Sequence, residues 1–402
     1  MDFEGFERGI LVVVKAYSSK FKDCSEERAK WEKIRTKILN NLSSSKKKVL
    51  SSALLFIFSI FIFYGCSKYN YSNYKKLKIP EKEKRLNSTV VGNYRFNFPV
   101  GLLLVKNYLV IADIKSDSIL KLIDLNTNEI VKSFGHEGQG PDEFISVDIL
   151  PSPKQDGSFW VYDVSTKNLK KFSIDDILND NFYPEKIIHI STKIGSPFVL
   201  KITPDERILA TGYFSEERIG VYDMNGNYIR SIGKVPVRFQ KEFSRQHSHG
   251  FMGRVTFNEN KKLIFVATQY GSIVEKYSID GKLLRTYIGP DVFFPEYDIV
   301  PAGESYTMTY NNKSRWGYFG IHYSSALDKI FLLYSGVYQF NKENVSPNYS
   351  NTIYVLDDNK EELVEKIKLD KRIGPMVLSE DCSEIFGISE DSKILKFNYK
   401  KD

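Results

Sequence analysis

The pattern that most restricts the fold of this 402-residue chain is a group of short strands that recurs six times. The first unit, Pro99 to Phe134, holds Tyr108–Asp113 and Ile119–Asp124, and the second holds Ser158–Asp163 and Leu169–Ser173. The third holds Arg207–Gly212, Ile219–Asp223 and Tyr228–Ile232, with Asn225-Gly226 before its last strand. The fourth repeats it closely: Lys262–Ala267, Ile273–Tyr277 and Leu283–Tyr287, with Asp280-Gly281 as the dipeptide. The fifth has Lys329–Tyr334, an insertion, Thr352–Asp357 and Leu363–Ile367. The sixth has Ser383–Gly387 and Lys393–Phe397 and lacks an outer strand.

In each unit one strand is almost wholly apolar, as expected when it packs on both faces, and the next alternates. Two-residue turns such as Asn225-Gly226 then lead into a more polar outer strand. Such a sheet cannot bury its faces alone. The units are therefore predicted to pack radially, as an all-β, six-bladed β-propeller over residues 88–402. Aromatics at 14%, with 25 Tyr and 28 Phe, favour strands. Val90 to Phe98 is a spare strand that can fill the gap in the sixth unit, closing the ring by pairing N- and C-terminal strands and removing an exposed edge. A sandwich is the alternative, but it leaves the missing strand and the spare one unexplained. Asp175 to Asn181 is the one short helix expected.

Ahead of the repeats, Lys46, Lys47 and Lys48 precede an uncharged, mostly apolar run from Val49 to Tyr64, then Gly65-Cys66. The run is shorter than the roughly 20 residues a spanning helix needs, so it reads as a processed export signal with lipid on Cys66. Phe63 and Tyr64 are bulkier than such signals usually carry, and an uncleaved signal anchor is the alternative. The expected organisation is a leader over residues 1–45, whose start lies upstream of the true one, and a lipoprotein signal over 46–65. The lipidated cysteine and a polar tether follow over 66–87, then the propeller. The expected location is the cell envelope, lipid-anchored at the outer membrane.

This division explains the net charge of +7. Residues 1–65 hold 12 basic and 7 acidic residues, leaving 45 and 43 in the rest, a net of only +2. A nearly neutral exported domain has no electrostatic footprint for a nucleic acid. Of the three cysteines, Cys24 lies in the leader and Cys66 carries the lipid, so Cys382 stands alone and reads as a small buried hydrophobe.

Phe134 to Phe144 reads Phe-Gly-His-Glu-Gly-Gln-Gly-Pro-Asp-Glu-Phe. On this segment the chain resembles the TolB-like six-bladed propeller family of exported bacterial lipoproteins and, more distantly, NHL-repeat propellers. Gly138, Gln139, Gly140, Pro141, Glu143 and Phe144 match that family's blade-end motif, with Asp142 where a glycine is usual, a change eased by the tolerance of Asp for left-handed backbone. A phosphate-cradling loop is excluded by context: no helix start follows and no Lys-Ser/Thr pair is present. Gly135, Gly138, Gly140, Pro141, Glu143 and Phe144 therefore read as a connector, echoed at Ile232-Gly233 with Glu242-Phe243 and at Ile288-Gly289 with Glu296-Tyr297.

Candidate chemistry is sparse. No hydrolase, zincin or EF-hand motif is present, and no metal or cofactor is expected. Among five histidines only His247-Ser-His249 has ligand-like spacing, on what reads as an extended segment, without a third zinc ligand. Two long loops are the binding candidates: Val235 to Arg254, with Arg238, Arg245, His247, His249 and Arg254, and Pro290 to Tyr318, with Tyr297, Tyr310, Arg315 and Trp316. Aromatics beside arginines suit sugars or peptides, although the same aromatics also suit packing of the loops onto the blades. The expected function is a binding or scaffold module for a glycan, peptide or envelope protein. The rival is a propeller lyase or hydrolase working from the channel mouth.

Overall fold

The computed structural model describes residues 74–236 and 243–400. The segment expected to be an export signal, Cys66 and Arg238 lie outside the described residues. Six antiparallel groups of four strands follow one another along the chain. Blade 1 is Pro99–Val105, Tyr108–Asp113, Leu120–Asp124 and Glu129–Phe134. Blade 2 is Val147–Pro151, Ser158–Asp163, Asn168–Ser173 and Lys186–His189. Blade 3 is Gly195–Ile202, Ile208–Phe214, Glu217–Tyr222 and Tyr228–Lys234. Blade 4 is Gly253–Asn258, Leu263–Thr268, Ile273–Ser278 and Leu283–Ile288.

Blades 5 and 6 share a strand. Blade 5 begins with Tyr318–Ser324, Lys329–Tyr334 and Ser350–Asp357. Its outer edge is the first part of Glu362–Leu378, which runs on for 17 residues. Residues Glu362 to Lys368 lie opposite Asp357 to Thr352, whereas Ile373 to Leu378 lie opposite Ser389 to Ile385, so the second part is the inner strand of blade 6. Glu384–Ser389 and Ile394–Asn398 continue blade 6, and Ser88–Val90 completes it by pairing antiparallel with Leu395 to Phe397. The inner strand of each blade packs beside the next, and that of blade 6 beside that of blade 1. The ring is closed.

Closure between the two chain ends is as the sequence predicts, with a corrected boundary. Three residues, Ser88–Val90, pair, rather than Val90 to Phe98. Asp370 fixes this short strand by accepting from the Ser88 N–H and hydroxyl, both at 3.1 Å. The chain then leaves the sheet and buries Phe96 between blades 6 and 1.

The second strand of each blade shows why the apolar runs recur. Along Ser158–Asp163 every residue is buried, and successive side chains serve opposite neighbours. Phe159 and Val161 join the core between blades 1 and 2, and Trp160 and Tyr162 the core between blades 2 and 3. Each such fully buried side chain contributes about 1.5–3 kcal/mol. Six cores of this kind fill the six spaces between blades.

The turn chemistry is also local. Gly226 takes φ +82° and Gly281 φ +99°, conformations open to glycine. Asp223 accepts from the Asn225 and Asn227 N–H groups at 2.9 Å each, so the carboxylate shapes its own turn. The expected helix is α1, Ile174–Leu178, capped by Ser173, with Ile174 and Ile177 buried.

The stretch read as a tether is partly built into the domain. Lys75–Lys76 pairs in parallel with Tyr287 and Ile288 on the outer strand of blade 4, burying Leu77. Glu83–Leu86 pairs in parallel with Lys366 to Leu369 on blade 5, burying Leu86. Lys366 meets Glu83 and Lys82 meets Glu365, each at 2.7 Å. Outer strands carry unpaired N–H and C=O groups, and this segment satisfies them.

Candidate functional site at the loop face

The four strands of a blade alternate in direction, so the links into inner strands and the links from second to third strands emerge on one face. Residues 135–146, 235–252, 289–317 and 335–349 are all links of these two kinds. The long loops therefore share a face by topology.

The glycine-rich segment is a connector. Phe144 is fully buried, and a Cβ on Gly135 (φ +73°) would stand 2.7 Å from its ring. Glu143 turns back to accept from the Gly140 N–H at 2.8 Å. Lys170, itself buried, donates to the carbonyls of Gly140 (2.8 Å) and Glu143 (2.5 Å), with its ammonium over the Phe144 ring. His136–Glu137 and Glu143–Phe144 pair in parallel across the turn, with Gly138 and Pro141 in the loop between them. Asp142 keeps negative φ, so the expected left-handed backbone is not needed there.

The segment carrying His247 and His249 is a helix, α2, Ser244–Gly250, not an extended strand. At about 100° per residue, positions two apart point in different directions, which separates the two rings. His247 Nδ1 lies 2.7 Å from the Tyr297 hydroxyl, and His249 packs on Tyr213 with ring centroids 4.4 Å apart. Burial holds the His249 imidazole below its ordinary pKa. Ser248 ties the helix to blade 3, donating to Gly212 O at 3.0 Å. A Cβ on Gly250 would meet the Tyr297 ring, so only glycine permits that approach. Tyr297, in the echo position of Phe144, is buried in the same way.

Around α2 the aromatics form a wall that begins on the inner strand of blade 3. Phe198, Tyr213, Met252, Tyr270, Tyr310 and Trp316 belong to one cluster. The Tyr310 hydroxyl donates to that of Tyr270 at 2.7 Å, and Tyr270 meets the edges of Tyr310 and Trp316 at 5.4 and 5.2 Å. The Trp316 indole N–H donates to Gln339 at 2.5 Å. Tyr213, Tyr310 and Trp316 stay half-buried. A hairpin, Asp298–Ala302 with Ser305–Thr309, stands over the wall, bound to α2 through Gln246 and the Tyr306 carbonyl at 2.6 Å.

The arginines divide. Arg315 is held in the loops, pairing with Asp291 at 2.6 Å, donating to Gly336 O and lying over Phe293. Arg245 is exposed on α2. Arg254 is not a loop residue, because Gly253–Asn258 is the inner strand of blade 4. Its guanidinium reaches Asp148 on the inner strand of blade 2, 3.8 Å away. Lys201 of blade 3 and His322 of blade 5 occupy the same axis.

Sequence reasoning missed Asp148, Lys201, His322, Tyr213 and Tyr270. The available signal was a titratable residue interrupting the first strand of four successive units: Val-Asp148-Ile, Leu-Lys201-Ile, Gly-Arg254-Val and Ile-His322-Tyr. Among the described residues no three His, Cys, Asp or Glu side chains gather as metal ligands. Cys382 is buried, and burial raises its thiol pKa.

No curated protein matches the sequence. Among solved structures, a member of the DUF4221 family from Bacteroides vulgatus is similar at 12% identity and TM-score 0.47, over 77% of this chain and 97% of that one. A protein of unknown function from Bacteroides thetaiotaomicron is similar at 9% identity and TM-score 0.49, over 81% and 75%. The family described as TolB-like 6-blade propeller-like matches residues 78–381, a span that holds blades 1 to 5, the inner strand of blade 6 and the glycine-rich connector, and the chain belongs to that family.

Proposed function

We propose that this protein is an exported, lipid-anchored binding or scaffold module whose loop face takes a glycan, a peptide or an envelope-protein segment. The observation that carries the reading is the half-buried wall of Tyr213, Tyr310 and Trp316 around Tyr270 on the loop face. Such rings present flat apolar faces for a sugar or an aliphatic side chain, and their hydroxyl groups orient it. The channel mouth favours binding over glycoside cleavage. Asp148 has Arg254 opposite it, not the second carboxylate such a reaction requires.

Trp316 supplies the test. Of the three tryptophans, Trp31 lies before the propeller and Trp160 is buried, so Trp316 fluorescence reports on the wall. Glycan and peptide arrays probed with the full-length protein should yield binders that change this emission. Trp316→Ala and Tyr310→Ala should each weaken them about tenfold, in line with an aromatic contact of interface type. Binders whose affinity ignores both substitutions would overturn the reading.

A further inference from the structure

The ring axis carries a charge cluster separate from the aromatic wall. Asp148 belongs to blade 2 and Arg254 to blade 4, which are not neighbours, so their 3.8 Å approach crosses the axis. His322 of blade 5 likewise feels the charges of Lys201 in blade 3 and Arg254 in blade 4. All four side chains are partly water-accessible, as expected of groups lining a narrow lumen. The inner strands of blades 1 and 6 add no titratable side chain.

The balance is uneven. Arg254 faces Asp148, whereas Lys201 makes no hydrogen bond or ion pair within the described residues and is drawn only by Glu259, just past the blade 4 inner strand. Burial depresses the Lys201 ammonium, and burial together with Lys201 and Arg254 holds His322 down to about 3, while the His322 hydrogen bond to the Met376 backbone opposes the shift. Asp148 is pushed up by burial, with Arg254 opposing. Positive charge enclosed in this way without a full complement of acceptors is costly, and an incoming anion relieves the cost.

We propose that the axial cluster binds an oxyanion (a carboxylate, sulfate or phosphate ester) on a ligand entering from the loop face, with Lys201 and Arg254 as its charged donors. His322 closes the far side of the site, and Asp148 competes with the ligand for Arg254. The site extends the binding reading and is independent of the aromatic wall, because a free ion should occupy it.

The test is calorimetric titration of full-length protein in detergent with sulfate, phosphate or glucuronate, in low-salt buffer at neutral pH. Saturable one-to-one uptake of at least one of the three is expected, and the tightest identifies the anionic group. Lys201→Met and Arg254→Gln should each weaken it about tenfold or more, the scale of a charged hydrogen bond. Asp148→Asn should tighten it, a gain that misfolding cannot imitate. Bound sulfate should also raise the His322 pKa, followed by NMR. No saturable uptake, unchanged affinity in Lys201→Met or in Arg254→Gln, or no tightening in Asp148→Asn overturns the proposal. Trp316→Ala should retain ion binding, and an unaltered protein that takes up the ion but no array ligand would count against the wall alone.

Discussion

Arg218 of blade 3 and Glu275 of blade 4 form an ion pair at 2.5 Å in which both side chains are almost wholly withdrawn from solvent. The guanidinium also donates to Thr268 Oγ1 at 2.9 Å and to Phe251 O, and Tyr277 donates to Glu275 at 3.0 Å. Every charge in the group is answered, and the pair pins α2 through the residue that follows it. Glu275→Leu alone should destabilise the protein by about 3–5 kcal/mol, because it strands a buried cation. Arg218→Met combined with Glu275→Leu should recover most of that loss. Urea unfolding of the three variants decides, and equal losses in single and double variants would refute the account.

The glycine-rich connector should behave as architecture. Phe144→Ala removes a fully buried ring and should cost about 3–5 kcal/mol. Lys170→Met withdraws the donor from two carbonyls and should cost about 1–3 kcal/mol. Neither should alter the affinity of the loop face for a ligand once the protein is folded. A selective loss of binding without loss of stability would show the connector to be a site.

The segment from Lys75 to Leu86 should resist proteolysis, since it is hydrogen-bonded to blades 4 and 5. Leu77→Asp should release its first part and uncover the outer edge of blade 4. Limited trypsin digestion then gives new cuts at Lys75, Lys76 and Lys78, whereas the unaltered protein is cut there slowly. Equal cutting rates would contradict the docking.

Acid should weaken the fold partly through His322. Its folded pKa, about 3, lies below the ordinary value of about 6.5, so the unfolded chain binds more protons between those limits. Stability from this group is complete above about pH 6.5 and falls as pH drops toward 3. Asp148 acts in the opposite direction, its folded pKa being raised, so protonation in acid favours the native state. His322→Gln should therefore flatten the loss of stability between pH 7 and 4. Parallel unfolding curves for the variant and the unaltered protein would reject the assignment.

The proposed export and lipid anchor predict a covalent mark. Growth with labelled palmitate should tag the protein, and Cys66→Ala should abolish the tag. Persistence of the label in the variant would rule out that anchor.

The six blades were legible because their determinants are local. Asn225-Gly226 and Asp280-Gly281 mark hairpins, and the run Phe159 to Tyr162 can be apolar throughout only between two sheets. The axial cluster was not legible, because Asp148 and Arg254 lie more than a hundred positions apart and meet only when the ring closes. Helix α2 escaped because Ser244–Gly250 has no side-chain N-cap and little apolar period. The docked part of the tether escaped because Leu77 and Leu86 are its two buried apolar anchors in a charged stretch. Of the nine residues singled out as ligand candidates, Tyr310 and Trp316 line the wall beside His249, and Tyr297 and Arg315 hold the loops together. Arg254 alone belongs to the axis.

The order in which the N-terminal segment docks also determines how the molecule carries load. From Lys75 the chain pairs first along blade 4, next along blade 5, and only then supplies Ser88–Val90 to close blade 6. A pull on the N-terminal side must peel two parallel pairings, and the ion pairs of Glu83 and Lys82, before any tension reaches the three-residue clasp. Blades 5 and 6, joined by the unbroken strand Glu362–Leu378, share that tension as one piece. The segment thus acts as a strain relief: it shields the weakest joint of the ring from force applied at the end of the chain.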